Sequence, residues 1–157
     1  MAGFTYEGFP TLRPYQTYQG YSDAFVTKIG RPPPASFWTL VPCRAIDTRN
    51  APGPLGGPAL VTGADRVFSI AGQCGIPATA RAVALNLTVT QSTTAGHLRV
   101  NPTSGGLPPT SALNYSAGQT RAGNGVFIVG SSGAIRVRCN QPSGTAHLVV
   151  DVSGYFE

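Results

Sequence analysis

The chain has 157 residues, 41% of them hydrophobic and 11% charged, with a formal net charge of +5. That length supports one compact domain with a core, plus an arm, and argues against two full domains. Apart from Lys28 the cations are arginines, scattered singly or at strand spacing without interleaved aromatics. This pattern argues against a nucleic-acid partner, and no apolar run of about 18 residues is present to insert in a membrane.

Twenty Gly and 14 Pro punctuate alternating apolar runs. Such spacing predicts many short strands joined by tight turns, with little helix. The surface is rich in Ser, Thr, Gly and Ala instead of Lys and Glu, a composition suited to secreted or filament-forming proteins. The start, Met1 to Gly8, lacks the basic and apolar regions of a secretory signal. An exported form is therefore expected to be a mature chain or a piece of a longer precursor.

Residues 1–30 form an aromatic arm carrying Phe4, Tyr6, Phe9, Tyr15, Tyr18, Tyr21 and Phe25. Its strongest strand pattern runs from Asp23 to Ile29, where Phe25, Thr27 and Ile29 alternate with Val26 and Lys28. Residues 31–36, Arg-Pro-Pro-Pro-Ala-Ser, are too proline-rich for ladder pairing and read as a semi-rigid spacer. An arm this small cannot build its own core, so its strands must pack on something. Gly3-Phe4-Thr5, Phe9-Pro10-Thr11, Gln16 or Gln19, and above all Asp23-Ala24-Phe25-Val26-Thr27-Lys28-Ile29 resemble the second half of a repeat of the bacterial seven-bladed β-propeller family labelled SBBP. The strands that would precede Gly3 in that repeat are missing, and a blade needs four. The resemblance thus implies kinship with exported repetitive proteins and leaves strands in want of a partner.

Residues 37–157 read as a self-contained all-β unit. Phe37 to Val41 opens it, a Gly/Pro loop occupies Asn50 to Pro58, and Arg66 to Ala71 is a strand. Gly72 to Pro77 is a turn leading to the central strand, Arg81 to Thr90. There Val83, Leu85, Leu87 and Val89 form one apolar row, opposite a smaller and more polar row from Ala82 to Thr90. Gln91 to Gly96 is expected to turn as a hairpin into His97 to Val100. The remaining strands are Ala112 to Tyr115, Gly125 to Val129, Ala134 to Cys139 and Thr145 to Val152, with Gly130 to Gly133 as a second tight hairpin link. The fold expected is an antiparallel β-sandwich, jelly-roll-like, with an extended N-terminal strand arm.

Three cysteines permit one bridge. Cys43 with Cys74 is the favoured pair, worth about 3 to 4 kcal/mol on loop-entropy arithmetic, and three free buried thiols are the alternative. Pro42-Cys43-Arg44, Asp47-Thr48-Arg49, the Gly72-Gln73-Cys74-Gly75-Ile76-Pro77 turn, Asn86-Leu87-Thr88-Val89-Thr90, Ala117-Gly118-Gln119-Thr120 and the ending Asp151-Val152-Ser153-Gly154-Tyr155-Phe156 are together similar to a domain appended to many secreted bacterial cell-surface proteins. That resemblance implies export and a structural or adhesive role without catalysis.

Catalytic chemistry finds no constellation here. There is no Gly-x-Ser-x-Gly elbow, and six acids in all argue against paired-carboxylate hydrolysis. His97 and His147 sit in echoing contexts and would share a face if their strands paired, but a third metal ligand is lacking. No cofactor and no metal are expected. Asp47 and Asp151 read as anchors for Arg49 and turn amides, and Arg99, Arg136 and Arg138 as a local anion-attracting patch at most. Two sequons, at Asn86 and Asn114, are candidate glycosylation sites.

The sharpest reading joins arm to sandwich. The arm, through Phe4, Tyr6, Phe9, Tyr15, Tyr18, Tyr21, Phe25, Val26 and Ile29, adds strands to the next copy's sheet, building a pilus-like extracellular homopolymer at the cell surface. The alternative is a non-catalytic accessory or adhesion module that binds glycans, with Trp38, Tyr115 or Tyr155 as sugar-stacking platforms.

Overall fold

The computed structural model describes residues 2–5, 23–26 and 34–157, and among these every regular element is a strand. The chain divides into two units, Met1–Pro34 and Ala35–Glu157. In the first, β1 (Ala2–Thr5) and β2 (Asp23–Val26) pair antiparallel, with Ala2 opposite Val26 and Thr5 opposite Asp23. Phe4, Phe25 and Val26 belong to this ribbon. Tyr6, Phe9, Tyr15, Tyr18, Tyr21 and Ile29 lie outside the described residues.

The second unit contains β3 (Phe37–Asp47), β4 (Leu60–Val61), β5 (Asp65–Ser69), β6 (Ala82–Thr90), β7 (Gly96–Pro102), β8 (Leu113–Tyr115), β9 (Arg121–Ile128), β10 (Ala134–Asn140) and β11 (Thr145–Phe156). A five-stranded sheet has the order β3-β11-β6-β9, with β4 attached to β11, and a four-stranded sheet has the order β5-β10-β7-β8. The pairs are concentric: β7 with β8, β6 with β9, β5 with β10 and β3 with β11. Such a nest is one long antiparallel ribbon folded over on itself, and it makes the sandwich a jelly roll.

Two expected hairpins are corrected by this topology. Gln91 to Gly96 leads from β6 in one sheet to β7 in the other, and Gly130 to Gly133 likewise leads from β9 to β10. Among the eight main strands only β7 and β8 are consecutive and paired. The turn at Gly130 to Gly133 is tight, with the Gly133 N–H donating to the Gly130 carbonyl at 2.8 Å. Gly133 has φ +67°, and a Cβ there would stand 2.3 Å from that of Ala71, so only glycine fits. Its carbonyl accepts from the N–H groups of both Ile70 and Ala71, tying β5's end to the turn.

The core lies between the sheets. Val83, Leu85, Leu87 and Val89 are at most 2% exposed and face Leu98, Ile135 and Val137 of the other layer, all 0% exposed. Each such side chain contributes about 1.5 to 3 kcal/mol on burial. On β11, Leu148, Val150 and Val152 point inward, opposite Val89, Leu87 and Leu85. A register shift at Ser153 then changes the parity, so Tyr155 lies opposite inward-facing Val83 while Gly154 and Phe156 face out. The Phe37 ring covers Gly154 at a spacing that would put a Cβ 2.5 Å from it.

Few charges are present, and several serve as joints. Arg66 donates to the carbonyls of Gly53, Gly56, Gly57 and Pro58 and stands 4.7 Å from the Phe68 ring centroid, holding the Asn50 to Pro58 loop against β5. Cys43 and Cys74 form a disulfide across a sequence separation of 31, fastening β3 to the turn before β6. Cys139 is buried and unbridged.

The paired substitution Cys43→Ser with Cys74→Ser is expected to lower unfolding free energy by about 3 kcal/mol, read from urea midpoints with and without reductant. Leu87→Ala is expected to cost about 3 kcal/mol through the cavity it leaves, with little change in secondary structure by circular dichroism.

Candidate functional site

The outward faces of the two sheets differ in chemistry. On the five-stranded sheet, strand registers place Asn124 opposite Asn86, Asn86 opposite Asp151, and Asp151 opposite Arg44. One polar row therefore crosses four strands. A second row, Ile128, Ala82, Phe156 and Phe37, is wholly apolar, with the two phenylalanine rings 4.8 Å apart. Between them lies a groove of about 570 Å³, lined by Pro42, Ala84, Asn86, Asn124, Val126 and Asp151 among others.

Asp151 is held by a two-pronged bond from Arg44, whose Nε and Nη2 donate at 2.8 and 3.2 Å. Arg44 also approaches Asp47 at 3.7 Å. Asp47 in turn accepts from the Arg49 backbone N–H at 3.1 Å and from its Nε and Nη2 at 2.8 and 2.6 Å. The Arg49 side-chain bonds hold the Asp47 carboxyl down to about 2 from its ordinary 3.8, against the opposing effect of burial. The Asp151 hydrogen bond raises Arg44, and the Asp47 hydrogen bond raises Arg49. Both acids are thus spoken for by arginine forks.

The four-stranded sheet presents Arg99 opposite Arg138 and Arg136 opposite Asn101. Asp65 accepts from Arg138 Nε at 2.6 Å and lies 3.8 Å from Arg136. Arg136 also donates to the Thr103 carbonyl at 2.8 Å. Two of the three arginines are therefore occupied, and among the described residues Arg99 reaches only the His97 ring, at 3.4 Å.

The expected site residues scatter. His97 is on β7 and His147 on β11, strands of different sheets that do not pair, so the condition for a shared face fails. His147 Nδ1 lies 3.1 Å from the Thr48 hydroxyl, which accepts from the Leu148 N–H. Among the described residues no three His, Cys, Asp or Glu side chains are placed to hold a metal ion. Tyr115 is 5% exposed, with its hydroxyl 3.1 Å from Cys139 Sγ and 2.8 Å from Gln141 Oε1. Its ring belongs to the core and offers no face to a sugar. Tyr155 is half-buried and Trp38, its partner across β3 and β11, is 54% exposed. Of the two sequons, Asn114 is exposed on the short strand β8 and Asn86 is half-buried in the groove. Sequence reading missed Asn124 as Asn86's neighbour, because only strand register brings them together.

The sheet edges differ as well. β3 carries Pro42 and two register shifts, β8 has three residues, and β5 has five and begins with Asp65-Arg66. β9 has eight residues, no proline, no register shift and no charge after Arg121. Val126 and Ile128 on it are 59% and 64% exposed. Natural sheets guard long edges with proline, bulges or charge, and β9 has none of these beyond its first residue.

No protein-family model matches the chain, and no curated protein matches it.

Asp47 sets an acid limit. Its folded-state pKa is below the unfolded value, so its contribution is complete above about pH 4 and is lost as pH falls toward 2. Urea midpoints measured across that window are expected to fall with acidification. Asp47→Asn should lose about 2 kcal/mol at pH 7 and flatten the pH dependence between 4 and 2.

Proposed function

We propose that this chain is a structural subunit of an extracellular filament, in which the arm ribbon of one copy adds to β9 of the next. The observation that carries this reading is the unguarded β9 edge in a chain that also brings its own two-stranded ribbon. A ribbon of two strands is marginal alone in water, and each of its strands retains one edge for a further partner. Strand addition at a sheet edge supplies main-chain hydrogen bonds along the whole contact. Addition from one copy to the next is head-to-tail and does not close by itself, so its product is a fibre. The sequence Pro32-Pro33-Pro34 suits such an assembly, because proline-rich segments act as semi-rigid spacers. A disulfide fits the oxidising environment outside a cell.

Electron microscopy of negatively stained protein, with size-exclusion chromatography of the same sample, tests the reading. The full chain is expected to give uniform fibres, and deletion of residues 1–30 a folded monomer. Ala122→Lys and Ile128→Lys, both outward on β9, are expected to stop fibre growth while leaving the melting transition in place. Fibres formed by the deletion variant, or a full chain that stays monomeric at high concentration, would refute strand donation.

A further inference from the structure

We propose that the groove on the outer face of the five-stranded sheet binds a neutral saccharide. The groove exists because its floor is small: Ala84 on β6 lies opposite Val126 of β9, and a register shift interrupts β11 at Ser153 beside it. The polar groups at its centre, the amides of Asn86 and Asn124, make no side-chain hydrogen bond among the described residues. Each amide carries two donors and an acceptor, which matches hydroxyl groups that both give and accept.

Charge selects against ionic ligands. Asp151 is the only acid lining the groove, and Arg44 neutralises it through two hydrogen bonds. Its remaining lone pairs still accept from hydroxyls, while the pair presents no net charge to a phosphate or an amine. Pro42, Ala84 and Val126 supply the apolar surface on which the C–H faces of a pyranose ring pack.

Location selects against a peptide strand. The groove is centred on β6 and β11, interior strands whose backbone groups pair on both sides, and is bounded by Asn124, Gly125 and Val126 of β9 and by Pro42 of β3. A peptide adding by main-chain hydrogen bonds would need an edge. A ligand here is read by side chains alone, as a sugar is. The groove's β9 residues, Asn124, Gly125 and Val126, line it on the outer face of the sheet, whereas strand donation would use the hydrogen-bonding edge of β9, so the two readings call for separate tests.

Isothermal titration calorimetry of the full chain with cellohexaose, laminarihexaose, mannohexaose and maltohexaose tests the site. At least one of the four is expected to bind. Asn86→Ala and Asn124→Ala are each expected to weaken that binding about tenfold, and Ala84→Phe to abolish it by filling the floor. Asn114→Ala, on the other sheet, is expected to leave it unchanged. Circular dichroism melts confirm that the variants fold, which their outward positions favour. The proposal is overturned by binding of none of the four, by groove variants that bind as the parent does, or by a chain that binds only anionic alginate. Fibre formation by the same samples reports separately on strand donation.

Discussion

The ladder between β6 and β11, from His147 opposite Thr90 to Phe156 opposite Ala82, decides which side chains face inward across the five-stranded sheet. Side chains alternate along a strand, so a slip of one residue would exchange the core row for the outer row. The apolar row of β6 prevents that slip, because Val83, Leu85, Leu87 and Val89 have no other burial available. Once β6 is seated, β11 must present Leu148, Val150 and Val152 beside it, and β9 and β3 inherit their facing from these two. The outer rows, polar and apolar alike, are the complement of that choice.

The second constraint is the scarcity of charge. With so few ionic groups, those present are spent where chain segments meet. Arg66 gathers four loop carbonyls, Asp47 and Arg49 lock the turn after β3, and Asp65 draws β5 toward β10. Most of the remaining surface is amide, hydroxyl and apolar, with Arg81, Arg99 and Arg121 as isolated cations.

Much of this was readable from the residues. The alternation in β6 located the central strand. Cys43 and Cys74 were paired because the segment between them is rich in turns, and they bond. Other features were hidden for identifiable reasons. Turn chemistry at Gln91 to Gly96 and at Gly130 to Gly133 announces a reversal, but whether the next strand joins the same sheet depends on the whole nest. Gly123 and Gly125 occupy inward positions of β9 and erase its alternation, which is why its first half went unread. The parity change at Ser153 likewise concealed the end of β11. Tyr115 has the side chain of a sugar platform, and only the packing of β8 against the core reveals its burial. The row of Asn124, Asn86 and Asp151 comes from three distant segments, so no local pattern could announce it.

The concentric pairing has a mechanical corollary. The sandwich begins and ends at one spot, where Ser36 and Glu157 exchange backbone hydrogen bonds of 2.7 and 3.0 Å. Tension drawn between those two points would peel β3 from β11 one rung at a time, the geometry of a zipper. The peeling would reach Cys43 after Phe37 to Pro42 had come away, and there the covalent link to Cys74 would halt it. A load passed through strands laid along β9 would instead act parallel to the rungs, straining many hydrogen bonds together. The same domain is therefore weak when pulled by its own ends and strong when pulled along its sheet.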